Sequence, residues 1–197
     1  MLRNLYGELG KVMTSNVQQL VDEKRNAHIL YAFTGDDNYF RELYQFIEDG
    51  IRNGEHVLLV ENERVANQIQ KEVAKKYSTK QLEQIHYVNS LHFYWSSGSY
   101  TPPAIQAYFT EMVSPFVESE QPFRSWAHVE WESVNEPLHL IEEFETIVDN
   151  AVNDLEFPLI CAYELKKMPE RLQTILLATH PYVLEDELVS ESSIYTP

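Results

Sequence analysis

Three short runs constrain this chain more than anything else in it: "HILYAF" (28–33), "HVLLVE" (56–61) and "PLICAYEL" (158–165). Each is apolar without alternation, the pattern of a strand covered on both faces of a sheet. Between them lie amphipathic segments. Phe40, Leu43, Tyr44, Ile47 and Ile51 recur at helical spacing and stop at Asn53-Gly54, and Val65, Ile69 and Val73 repeat the pattern. "IHYVNS" and "FRSWAHVEW" read as further strands. "AIQAYFTEMVSPFVES", "PLHLIEEFETIVDNAVNDL" and "PERLQTILLATH" read as helices, with Pro137 in a first turn, and the tail leaves room for one short strand. Strict alternation predicts an α/β, three-layer sandwich with a mainly parallel central sheet and right-handed crossovers. A length of 197 residues suits one such domain. Residues 1–25 have a different texture. Leu2, Leu5, Val12, Val17, Leu20 and Val21 give a loose helical spacing, read as a helical segment that either packs on the following domain, over 26–197, or mediates self-association, with packing on another chain the expected outcome.

In parallel sheets, ligands collect at the loops leaving the carboxyl ends of the strands. Here these are "TGDDN", "ENER", "NSLHFYWSSGSYTPP", "WESVNEP" and "YELKKMPE". The first corner lacks the glycines and lysine of a phosphate loop and carries Asp36 and Asp37 instead. Those carboxylates are expected to cap the following helix rather than bind a cation. Aromatic residues gather in the third loop and its flanks: His92, Phe93, Tyr94, Trp95, Tyr100, Tyr108 and Phe109, with Trp126 and Trp131 on a neighbouring strand. Such a cluster suits a small apolar or aromatic ligand, a core, or an interface between subunits. His128 and Glu130 lie two apart on a strand and share a face, where His28 or His92 could join them. No histidine or cysteine spacing marks a metal site, and no G-x-S-x-G elbow marks a nucleophile, so neither catalytic residues, metal nor cofactor are expected. Cys161, the single cysteine, reads as a small buried hydrophobe. His180 precedes Pro181, so a helix should end there. The helix dipole would favour a protonated ring, in a structural role away from the ligand loops.

A net charge of −16 disfavours nucleic acid and anionic membrane as partners. It suits a signalling or regulatory protein with a basic face. No apolar run approaches the roughly 20 residues of a membrane span, and the N-terminus has no apolar signal-peptide core, so a cytoplasmic location is expected.

The order of several motifs resembles the MEDS domain family, the sensory domains named for methanogen and methylotroph regulators. They are "HILYAF", "FIEDGIRNGEHVLLV", "SSGSYTPPAI", "PLICAYELKKMP", "LLATHPYVL" and the terminal "SIYTP", spanning His28 to Pro197. The resemblance implies a RecA/KaiC-like fold that has lost the phosphate loop. Two positions depart from the family's pattern. Where the family shows R-x-x-G-E-x-x-W, aligning Arg124 and Trp131 puts Ala127 and His128 at the glycine and glutamate. Glu164 stands where an aspartate is usual. The reading that follows is a non-catalytic sensory or regulatory domain in signal transduction. It would bind its ligand at the carboxyl end of the sheet through residues such as Asp36, Asp37, His92, Tyr94, Trp95, Tyr100, Trp126, His128, Glu130, Trp131 and Glu164. With no DNA-binding or kinase module expected in the chain, its output would pass through a protein partner. The alternatives are a degenerate nucleotide-binding ATPase-like protein and a hydrolase using His128 and Glu130.

Overall fold

The computed structural model describes residues 16–95, 101–130 and 138–196. Seven strands form one sheet: β1 (His28–Phe33), β2 (His56–Glu61), β3 (Ile85–Asn89), β4 (Phe123–His128), β5 (Leu159–Glu164), β6 (Tyr182–Glu185) and β7 (Leu188–Glu191), in the order β3-β2-β4-β5-β1-β6-β7. All neighbouring strands are parallel except β6 and β7. The expected three-layer sandwich is the observed one.

The two faces of the sheet carry different helices. One face buries Tyr31, Leu59, Trp126 and Ile160 beneath α1 (Val17–Glu23), α2 (Asp36–Arg52) and α3 (Glu63–Lys76). The other buries Leu30, Val60, Ala127, Leu159 and Cys161 beneath α5 (Ser90–Trp95), α6 (Pro102–Glu118), α7 (Leu138–Leu155) and α8 (Glu170–Thr179). A short helix, α4 (Thr79–Leu82), precedes β3. Each β-strand residue faces one layer and its neighbour the other, which is why the strands read as continuous apolar runs.

Local chemistry sets the element ends. Asn16 and Gln19 make a reciprocal capping box on α1. Gly54, at φ +72°, supplies the left-handed residue that ends α2. Gly50 has a different task. A Cβ there would lie 2.6 Å from Val57 Cγ2 and 2.9 Å from Arg124 Cδ, so only glycine lets α2 approach the sheet this closely. Arg124 itself is fully buried. It is paired with Glu55, donates to Phe46 O and Gln18 Oε1, and lies 4.9 Å from the Phe46 ring centroid.

Four features differ from the sequence reading. The tail forms two strands, β6 and β7, not one. Their turn is Asp186-Glu187, both with positive φ, a two-residue hairpin turn made without the usual glycine or asparagine. Residues 90–95, read as loop, are helical, and α4 was not foreseen; both are too short for a periodic signal. Of the segment 1–25, residues 17–23 form α1, whose Leu20 and Val21 are buried against this same domain. Residues 1–15 lie outside the described residues, as does Pro137. The fourth difference is the division of the aromatic residues. Trp126 lies beneath α2 on one face, while Phe93, Tyr94, Tyr108 and Phe109 lie on the other, so the sheet separates what the sequence suggested as one cluster.

Candidate functional site

Strands β2 and β4 are adjacent but send the chain to opposite faces, β2 into α3 and β4 toward α7. A crevice opens at the carboxyl ends of such strands. The last residue of β2, Glu61, sits there with no solvent exposure. Its carboxylate is held from two sides. Tyr39, in the first turns of α2, donates its hydroxyl to Oε1, and His128 Nδ1 lies 3.0 Å from Oε2. Trp126 Nε1 in turn donates to Tyr39 Oη at 2.9 Å. Burial and the Glu61 charge push the Tyr39 phenol well above its ordinary range, so it stays a neutral donor. Phe33, Tyr39 and His128 pack ring against ring, with centroids 4.5–5.4 Å apart.

Glu130, one-third exposed, brings the network to the surface. Oε1 lies 3.9 Å from His128 Nε2, and Oε2 accepts from Asn62 Nδ2 at 2.9 Å. Asn62 is also the N-cap of α3, accepting from Val65 N at 2.9 Å. The expected pairing of His128 with Glu130 is therefore present. Its dominant partner, Glu61, and the donor Tyr39 were missed. Neither has a motif: Glu61 reads as a polar end to an apolar strand, and Tyr39 as one more residue of an amphipathic helix. In the arrangement, Glu61 has both oxygens engaged, and among the described residues no nucleophile lies beside it. Its two bonds tie the carboxyl ends of β2 and β4 to the first turns of α2.

The other expected site residues scatter. Asp36 and Asp37 are exposed in the first turn of α2, behind an N-cap Gly35 that makes no side-chain cap bond. They complement the helix dipole as charges but do not cap it, because Gly35, at φ +75°, takes the capping position. The corner holds acids where a phosphate would need donors. Glu164, at the end of β5, is paired with Lys166 and Lys167. His92 is exposed on α5 and does not join His128. Tyr94 is buried against Phe93 and Phe144 on the far face. Tyr100, Trp131 and the side chain of Trp95 lie outside the described residues. His28 also stays away from His128, at the opposite, amino end of the sheet. His180 ends α8 as expected, with its ring Nδ1–H donated to Leu176 O at 2.8 Å. It is not protonated: burial pushes the imidazole down to about 3, outweighing the helix dipole.

The second site is a cavity on the α6–α7 side of the sheet. It measures about 40 Å³ and is lined by Val60, Ile105, Phe109, Ala127, Phe144 and Phe157, among others. Ser125, fully buried on β4, also lines it, and its hydroxyl has no hydrogen-bond partner among the described residues. Phe93 and Phe109 belong to the aromatic run noted in the sequence. The rest of the lining comes from β2, β4 and β5, from Ile105 and Gln106 on α6, from α7 and from Phe157 just beyond it, and their apolar residues give no sign in sequence that they leave a void.

Residues 27–181 match the sequence model of a family described as MEDS, the methanogen/methylotroph, DcmR sensory domain. No curated protein sequence matches the chain. Among solved structures, the chain is similar in fold to one described as an ATPase domain, with a TM-score of 0.55 and 10% sequence identity over 100% of this chain and 88% of that one. At that identity the likeness speaks to the fold alone.

Proposed function

The chain belongs to the MEDS family of sensory domains, and from that premise we propose that it is a non-catalytic sensor of a very small molecule, bound in the cavity beneath β2 and β4. One observation carries this reading: an apolar cavity whose wall holds Ser125 Oγ, a hydroxyl with no hydrogen-bond partner among the described residues. Water is poorly served there, because a buried water needs two to four polar partners. A cavity of about 150 Å³ takes benzene. One of about 40 Å³ is limited to a few heavy atoms. The ligand class is therefore a short hydrocarbon derivative with one polar atom for Ser125.

Occupancy would be felt at the β2–β4 crevice. Val60 and Ala127 line the cavity, and the next residues along the same strands are Glu61 and His128. A signal would leave through a protein partner, and the net charge of −16 favours one with a basic face. The nucleotide-binding alternative is disfavoured by Asp36 and Asp37 at the α2 terminus, and titration calorimetry with Mg-ATP should show no specific heat.

Xenon NMR on the full chain tests the cavity. A bound xenon shift should appear in the parent, compete with ethanol, and vanish in Ala151→Leu, which extends a side chain into the cavity from α7. Ser125→Ala should keep xenon and lose the competition by ethanol. Identical xenon shifts in the parent and Ala151→Leu would refute the reading.

A further inference from the structure

Four polar side chains that the carboxyl-end site does not use meet inside the molecule. His28 opens β1, Glu145 lies in α7, Cys161 in β5, and His180 ends α8. All four are buried, and one donor atom from each lies within 4.8 Å of the others. Glu145 Oε2 is 3.5 Å from His28 Nε2 and 3.5 Å from His180 Nε2, and Cys161 Sγ is 3.5 Å from His28 Nε2.

The ring protons of both histidines are already committed elsewhere. His180 donates Nδ1–H to Leu176 O, so a neutral ring presents the lone pair of Nε2 inward. His28 Nδ1 lies 3.1 Å from Asp149 Oδ1, which holds the tautomer that points its Nε2 inward as well. Asp149 is steadied by the Tyr195 hydroxyl at 2.8 Å. Tyr163 donates to Glu145 Oε1 and leaves Oε2 facing the histidines. Among the described residues, Glu145 Oε2 and His180 Nε2 find no hydrogen-bond partner. Two lone pairs thus face each other in a dry interior, where an unpaired carboxylate oxygen is costly. A cation between them removes that cost.

We infer that His28, Glu145, Cys161 and His180 form a closed, four-ligand site for a zinc-class divalent metal ion. Tetrahedral bonds of about 2.0–2.3 Å to nitrogen, oxygen and sulfur give edges of about 3.3–3.7 Å between ligand atoms. Three of the edges here are 3.5 Å. The surrounding bonds have the form of a metal site's outer layer, in which each histidine gives its second N–H to a carboxylate or a backbone carbonyl. Charge balances too. Two neutral imidazoles, one carboxylate and one thiolate neutralise a dication, and the thiol proton of Cys161 leaves to solvent as the metal enters. With four protein ligands and no open position, the centre is structural and not catalytic. It would tie β1 and β5 to α7 and α8.

The test uses the full chain, expressed with zinc in the medium and purified without a chelator or a histidine tag. Elemental analysis and native mass spectrometry should find stoichiometric zinc in the parent. Cys161→Ala and His180→Gln should reduce it to background. The apo-protein, titrated with cobalt(II), should develop tetrahedral ligand-field bands and a thiolate-to-cobalt charge-transfer band. Should Cys161→Ala fail to fold, the parent's metal content and cobalt spectrum decide alone. A folded parent that carries no metal and shows no thiolate-to-cobalt band overturns the site. So does stoichiometric zinc that persists in both variants, since the metal would then sit elsewhere.

Discussion

Replacing Gly50 by alanine probes how tightly α2 is seated on the sheet. In an exposed helix interior the change would stabilise by about 1 kcal/mol, through helix propensity and a smaller unfolded-state entropy. Here the new methyl would meet Val57 Cγ2 at 2.6 Å and Arg124 Cδ at 2.9 Å. Carbon atoms pack best at about 3.5–4.0 Å, so something must give by about 1 Å. Neither neighbour gives easily. Val57 is fully buried in the sheet and stiff at χ1. Arg124 is held by Glu55, Phe46 O and Gln18 Oε1. Overpacking of this kind costs about 1–3 kcal/mol. Moving a buried, paired arginine adds to it, because breaking such a pair outright costs about 3–5 kcal/mol. After the propensity gain, the expected net loss is about 2 kcal/mol by these magnitudes. For a chain of this size that corresponds to a thermal midpoint lower by about 4–8 °C. Urea unfolding followed by circular dichroism, with calorimetry for the midpoint, measures both. Asn67→Ala, on the exposed side of α3, is the control and should be neutral or slightly stabilising. A Gly50→Ala protein as stable as its parent would refute the close approach of α2 to β2 and β4.

Glu61→Ala should cost about 3 kcal/mol in urea unfolding, because it strands the buried Tyr39 hydroxyl and His128 Nδ1. Glu130→Ala, at the partly exposed end of the same network, should cost about 0.5 kcal/mol or less. Ser125→Ala should raise ligand-free stability by about 1 kcal/mol, since it removes a buried hydroxyl without a partner among the described residues; a loss of similar size would mean that the hydroxyl is bonded. Burial, with the neighbouring His56 ring adding to it, pushes the His86 imidazole below its ordinary 6.5. The unfolded chain then binds the proton more readily than the native one. This contribution is therefore fully present above pH 6.5 and is lost as pH falls below it. Urea midpoints between pH 7.5 and 5 should fall less steeply in His86→Phe than in the parent.

The sequence alone determined the class of fold, the first five strands and the main helices. Those follow from local periodicity: a strand buried on both faces must be apolar throughout, and a helix covering a sheet must be apolar along one side. It also determined that the first corner is acidic, because that depends only on which residues follow β1. The hairpin β6–β7 was half legible, since its Asp186-Glu187 turn lacks the residues that usually announce one. What lay beyond the sequence was every relation set by strand order. Glu61 meets His128 because β2 lies beside β4, although they are 67 residues apart. Trp126 parts from Phe93 and Tyr94 because one strand's side chains alternate between two layers. A metal-ligand motif is readable only when its donors share one turn or one loop. His28, Glu145, Cys161 and His180 come from four elements and converge only once the sheet has brought β1 beside β5 and laid α7 and α8 across them. Local spacing records what one element must bury; which elements then face one another is decided by closing the core.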